Sequence, residues 1–536
     1  MNIRSRLPIS KMDLALVGVL LAVAAAVRLP YLNLVPVISD EAFEVLVALA
    51  VRQGQWVWFG PVNPTAGPLL TYLLALAFWL FGTPLYLPRA VIMVIGVLTV
   101  GATYFLGRSL GGHRAAPAAG RWAGAIAGLL LAFSPSHTIV NSHVAWSNSA
   151  TPLFSTLAFT ALHVALRERG AGQPRRRQGW FLVLAGLLYG LALQTHVSMI
   201  VVAPGLLIWF LARRDIGAWL RRPWPYLALG AAILGYGNMI AYNLMTRGGA
   251  VADFQTHTYA WVSEPTWATY WTNLKAMVGA VALTLGGRIP EPHDPLASVV
   301  MALLLAWLVA ALLYALWRGE TMPLWIILSA LLIMPYFNQR YKGLLSQRYT
   351  AFLLPLGFAV MGLAAGHFLE WIRKQARGPR RALAICSVAL ILFLAVYPVR
   401  STLAYYAREI QAGRDNRLSL TMADYLHDNL PADANLYLSS NLIGKRGDGG
   451  YRYLRAMYYW LTLKGVEHYV LDFSDLLARL EADPQQETWL LLTADDYQVL
   501  AQRFGLEPIA NSPPVHNGGI LARLAPRRSA TEPPQP

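Results

Sequence analysis

Thiols are almost absent from this chain: Cys386 is the only cysteine in 536 residues, and it lies inside an apolar run. That excludes a disulfide framework and a thiolate metal cluster. Charge is scarce as well, at 13% of residues, where soluble chains carry about 25%. The acidic sign is the scarcer one, with 28 Asp and Glu against 44 Lys and Arg and a net charge of +16. Hydrophobic residues make up 56% and the mean hydropathy is +0.42, so lipid is the solvent for much of the chain. The positive balance does not read as nucleic-acid binding, because no basic stretch is interleaved with aromatics in a polar segment. The arginines sit instead in short clusters between apolar runs, as the positive-inside rule describes.

A helix crossing a bilayer needs about 20 apolar residues. Runs near 12–28, 88–107, 122–138, 149–166, 179–195, 197–212, 224–244, 297–316, 322–337, 349–370 and 382–398 approach that length. They predict a polytopic α-helical membrane protein of about eleven transmembrane helices. Leu14–Val27 with Ala24-Ala25-Ala26 is similar to a secretory leader, but a retained first helix is simpler where so many runs follow. Arg108, Arg121, Arg213, Arg214, Arg318, Arg373 and Lys374 then fall on the side of the N-terminus. This predicts an inner bacterial membrane protein with its N-terminus inside and its C-terminal domain outside. Leu69–Phe81 is apolar but short and bracketed by Gly67, Pro68 and Pro84. It is expected to lie in the interface, since a crossing there would invert every later basic loop.

The outer connections collect polar groups. Asp40, Glu41 and Glu44 follow the first run; His137, Asn141, His143 and Asn148 lie in the second connection; His196 follows Gln194-Thr195; and Arg340, Lys342, Arg348 and Tyr349 precede a late run. Residues 400–525 are polar, with strand-like runs at 435–439, 469–473, 489–493 and 519–524 separated by helical stretches. That spacing predicts a small extracytoplasmic α/β domain after a membrane domain spanning 1–399, with a disordered tail at 526–536. The glycine-rich 439–450 lacks the phosphate-loop patterns and reads as a loop.

Asp40-Glu41 after the first run, Gly67-Pro68-Leu69, Ser142-His-x-Ala-Trp-Ser-Asn148 and Gln347-Arg-Tyr349 together resemble the GT-C membrane glycosyltransferases. Within them the chain is similar to the bacterial branch related to protein O-mannosyltransferases and lipid A aminoarabinose transferase. The resemblance implies a catalytic cavity on the non-cytoplasmic side and a polyprenyl-phosphate-linked sugar as donor. It implies that Asp40 is essential, with Glu41 the neighbouring acid. The second-connection acid of such enzymes falls near Asn148, an amide here. That departure weakens a two-carboxylate metal site; a divalent cation (Mg or Mn) stays open, with Asp40 and Glu41 as its ligands.

The chemistry suits these residue types. An acceptor hydroxyl attacking an anomeric carbon must lose its proton, which a carboxylate such as Asp40 accepts. The departing lipid phosphate gains charge, which a planar guanidinium stabilises; Arg348 with Tyr349 is the first candidate, Arg340 and Lys342 the substitutes. His143, Asn148 and His196 are candidates for the acceptor or sugar pocket. Each has a plainer alternative: a capped interfacial helix for Asp40-Glu41, a headgroup anchor for Arg348, hydrogen-bonded structural roles for the histidines. The acceptor (protein, lipid or glycan) is not readable. A transporter or flippase for a lipid-linked or polar solute is the rival class. It should carry paired repeats and charges at mid-membrane, which the apolar runs lack.

Overall fold

The computed structural model describes residues 9–35, 37–60, 66–112, 117–167, 176–254, 266–287, 295–337, 344–375, 379–412, 416–443, 450–482 and 487–524. The chain folds as two compact units. One holds the chain up to Leu32, Gln53–Leu74 and Arg89–Tyr405; the other holds Asn33–Arg52, Ala75–Pro88 and the chain from Tyr406 on.

Among the described residues, seven helices are long and apolar enough to cross a membrane: Lys11–Tyr31, Leu87–Gly111, Ser147–Leu166, Arg176–Thr195, Pro295–Trp317, Leu353–Lys374 and Ala382–Gln411. Trp224–Gly235 and Gly237–Met245, bent by 66° at Tyr236, make at most an eighth. The protein is therefore a multi-pass membrane protein whose described residues hold seven or eight spans, not the expected eleven. The overcount has a physical cause, because an apolar run is not always one helix. The run at 122–138 overlaps a 16-residue helix, Pro117–Ala132, which ends before Pro135. The run at 197–212 is a 3-10 turn followed by the nine-residue helix Ala203–Leu211. The run at 322–337 is a 16-residue helix with Pro335 inside it. Sixteen residues reach ~24 Å, short of the ~30 Å hydrocarbon core. Leu69–Phe81 has 13 residues and is shorter still.

Helix packing in the first unit runs through small residues, as expected where lipid removes the hydrophobic drive between helices. A Cβ added at Gly120 would lie 2.7 Å from the Gly112 Cα, and one at Gly124 2.6 Å from the Tyr104 carbonyl. On the other face of Pro117–Ala132, Gly362 meets the Ala123 carbonyl and a Cβ at Gly366 would come within 2.5 Å of the Ala119 carbonyl. Pro117–Ala132 thus lies against Leu87–Gly111 and Leu353–Gln375 at backbone contact. The first span starts with a reciprocal cap between Ser10 and Asp13. Buried Asp13 also accepts from the Tyr104 hydroxyl at 2.7 Å and pairs with Arg108 at 2.8 Å. That network fixes one end of the bundle; Arg28 ends the same helix at the other.

The second unit contains a five-stranded sheet: β1 Asn435–Ser439, β2 Tyr469–Leu471, β3 Thr488–Leu492, β4 Glu507–Pro508 and β5 Ile520–Leu524, in the order β2-β1-β3-β5-β4. β1 pairs parallel with β2 and β3, and β5 antiparallel with β3 and β4. Strands appear at all four sequence-expected positions; the short β4 carries no apolar pattern to announce it. Leu476, Leu480, Leu490, Leu492, Leu500 and Ala522 form its core.

Candidate active site

The first unit builds its polar end around a buried arginine. Arg28 is wholly inaccessible. Its guanidinium donates to the Ala24 carbonyl at 3.0 Å, the Ala132 carbonyl at 2.9 Å, the Leu131 carbonyl at 3.3 Å and the Ser142 hydroxyl at 3.0 Å. Leu131 and Ala132 end the helix Pro117–Ala132, whose negative dipole end compensates the cation. The same guanidinium lies 2.9 Å from His137 Nδ1. Arg28 can only donate, so His137 is neutral and carries its proton on Nε2.

Ser134–Trp146 folds inward as a consequence. Ser134 caps the short helix Pro135–Ile139, and Ser142 donates to the His137 carbonyl at 2.8 Å. The Ser149 hydroxyl lies 2.8 Å from the Val140 carbonyl and 2.7 Å from that of Val144. His143 is fully buried with Nε2 2.7 Å from the Arg28 carbonyl. Burial, with the charges of Arg28 and Arg89, pushes its pKa down to about 3 against the pull of that bond. Asn148 is nearly buried in the first turn of Ser147–Leu166.

The turn Leu344–Thr350 closes on this segment. The Ser136 hydroxyl donates to buried Gln347. Arg348 sits 4.4 Å above the Trp146 ring and donates to the Tyr349 hydroxyl at 2.8 Å. The Tyr349 ring is 5.5 Å from that of His196. His196 Nδ1 accepts from the Ser198 amide at 3.0 Å, and burial, then the Arg348 charge, pushes its pKa down to about 3. The structure therefore brings together three of the sequence candidates, Arg348, Tyr349 and His196. It adds Arg28, Ser136, His137, Trp146 and Gln347. Trp146 and Gln347 stood inside the two short motifs without a role; Arg28, the cation ending an apolar run before Pro30, was the readable signal for the rest. Arg340 and Lys342 lie outside the described residues. His137 Nε2, both Asn141 amide atoms, Trp146 Nε1 and Gln347 Nε2 are buried with no hydrogen-bond partner among the described residues. Buried groups of this kind are met by water or a ligand.

Asp40 and Glu41 belong to the second unit, in the first turn of the helix Ser39–Arg52, where the dipole favours carboxylates. Asp40 is half-buried, whereas Glu41 and Glu44 are buried. The approach to that helix is held by buried Asn416. Its Oδ1 accepts from the Val37 amide at 3.0 Å, and its Nδ2 donates to the Asn33 carbonyl at 3.0 Å and the Val35 carbonyl at 2.6 Å. Among the described residues no group of three or more His, Cys, Asp or Glu side chains comes together to hold a metal ion. Hard divalent cations take six or more oxygens, and successive helical residues such as Asp40 and Glu41 do not face one another. Asp40 and Glu41 as a donor set do not fit such an ion.

Residues 63–237 match the family model of dolichyl-phosphate-mannose-protein mannosyltransferases. The structure of ArnT from Cupriavidus metallidurans bound to undecaprenyl phosphate superposes with a TM-score of 0.61 at 16% identity, covering 97% of this chain and 99% of that one. Its apo state gives 0.59 at 15% identity, over 97% and 100%. An Archaeoglobus fulgidus oligosaccharyltransferase complex with Zn and sulfate gives 0.50 at 14% identity, over 85% of this chain and 62% of that one. No curated protein sequence matches. The chain has the fold of the GT-C membrane glycosyltransferases.

Proposed function

We propose that this protein is an integral membrane glycosyltransferase that moves a sugar from a polyprenyl-phosphate carrier to an acceptor hydroxyl on the extracytoplasmic face. The observation that carries the reading is Arg348, a guanidinium clasped by Trp146 and Tyr349 in a chain of this fold. Asp40, the more accessible of the two acids, takes the acceptor proton; Glu41, buried behind it in sequence, holds the helix start. The acceptor oxygen bonds to the anomeric carbon, the bond from that carbon to the phosphate oxygen breaks, and the polyprenyl phosphate leaves with both electrons. Arg348 stabilises that developing charge, and its planar fork suits two phosphate oxygens. Neutral His196 and Tyr349 frame it without adding a competing charge.

The undecaprenyl phosphate bound by the ArnT structure supports a polyprenyl carrier here. The proposed orientation rests on the bundle itself. Arg108 and Arg167 gather at the Asp13 end, and Arg28 and Ser134–Trp146 at the opposite end, so the latter faces outward. The test uses membranes supplied with polyprenyl-phosphate sugars. Asp40→Asn should lower transfer by about 10²–10⁴-fold, and Arg348→Ala should abolish it with folded protein retained. Unchanged transfer in either variant refutes that assignment.

A further inference from the structure

A cavity in the first unit lies between the helices Trp267–Leu285 and Met322–Phe337, with a volume of about 180 Å³. It is lined by Thr266, Trp267, Thr269, Tyr270, Asn273, Pro335 and Tyr336. Among the described residues no lining side chain is charged and Pro335 is the one aliphatic member, so the walls offer mainly aromatic faces, hydroxyls and an amide. The volume is the room of roughly six waters, below the ~300–1,000 Å³ of pockets for larger ligands. The polar groups are already oriented. The Tyr270 hydroxyl donates to the Leu332 carbonyl at 3.0 Å, Asn273 donates to the Pro335 carbonyl at 3.1 Å, and Thr266 caps the first helix by accepting from the Thr269 amide at 3.2 Å.

The aromatic rings are interlocked. Tyr270 lies 4.7 Å from Tyr336 and 5.5 Å from Trp267, which stacks on Trp271 at 6.2 Å. Despite this packing Trp267 stays 70% exposed and Tyr336 53% exposed, while Asn273 and Pro335 form a buried floor. A floor with an amide and a rim of open aromatic faces fits one pyranose ring. The electron-rich ring faces take its C–H surface, and the hydroxyls and amide take its OH groups. An isoprenoid tail would call for mostly aliphatic walls, and the described lining residues offer a phosphate no cation. The helix Trp267–Leu285 also packs against the Arg348-bearing turn Leu344–Thr350.

We infer that this cavity is a saccharide subsite and that the acceptor of the reaction is a neutral glycan, which it grips by one sugar ring. The acceptor half of the inference rests on the transferase reading; the binding half does not.

Full-length protein in detergent, without donor, is titrated with neutral gluco- and manno-configured tetrasaccharides while tryptophan fluorescence is followed. Saturable quenching is expected, lost in Trp267→Ala and retained in Trp267→Phe with a shifted midpoint. In transfer assays Trp267→Ala and Tyr336→Ala should each raise the KM for glycan acceptor at least tenfold and leave the KM for lipid donor unchanged. Saturable quenching without transfer to any acceptor removes the transferase reading and keeps the saccharide subsite. Transfer without quenching, with both acceptor KM values unmoved, overturns the subsite, as does quenching by farnesyl phosphate alone.

Discussion

Arg28 is a cation with no room to swing, and its neighbours depend on it. Replacing it by Ala leaves His137 Nδ1 and the carbonyls ending Pro117–Ala132 without their donor, and strips Ser142 of one of its two bonds, in a buried site. Each neutral group so orphaned is expected to cost roughly 1–3 kcal/mol, read as a lower unfolding temperature in detergent. Lys should rescue little, because one ammonium cannot span all these partners. In the proposed reaction Trp146 acts on the carrier through Arg348. Trp146→Ala removes a buried cation–π contact worth up to about 2 kcal/mol, so the KM for lipid donor should rise by as much as ~30-fold while the acceptor KM holds. His143 and His196 set a pH limit. Each is held at about 3 in the folded protein, below the ordinary 6.5. The unfolded chain therefore binds more protons between those values, and stability is full above about 6.5 and falls as pH drops toward 3. Thermal unfolding measured from pH 7 to 4.5 should show this slope, and His143→Gln should flatten part of it.

At the scale of elements, the seams made by glycine are the points of least tolerance. Gly366→Ala sets a Cβ 2.5 Å from the Ala119 carbonyl, an overpacking expected to cost about 1–3 kcal/mol, read as lost thermal stability. A change at Gly230, which has open space around it, should cost little by the same measure. Length and hydropathy revealed the seven long spans, because each carries an apolar helical run of membrane length. They did not reveal where a run stops being a helix. Ser134-Pro135 and the 3-10 turn Val197–Val202 are apolar enough to extend the neighbouring run, yet their backbone follows local capping. The Arg348 turn was singled out in the sequence because Gln347-Arg-Tyr349 forms a short motif and a planar guanidinium suits a phosphate. The contacts of Trp146 and Gln347 were not legible, since about 200 residues of sequence separation, 211 for Ser136 and Gln347, carry no local pattern.

For the molecule as a whole, the surprise is which pieces fold together. Composition divides the chain near residue 400, but the compact unit from Tyr406 on includes Asn33–Arg52 as well. Polarity marks what water touches; it is silent about a backbone segment tied by one asparagine. Asn416→Ala should therefore lower kcat through Asp40 while leaving the KM for lipid donor unchanged, and Asn416→Asp, which keeps the acceptor but loses two donor bonds, should fall between.

That asparagine also imposes an order in time. It follows Val37 by 379 residues, and a ribosome adding 5–20 residues per second needs roughly 20–80 s to get there. Until then the acid-bearing helix has emerged but its leading strand of backbone is untied. On the role proposed for Asp40, a nascent chain is catalytically silent until the polypeptide is three-quarters made, and an early stop before Asn416 should leave a helical bundle that transfers nothing.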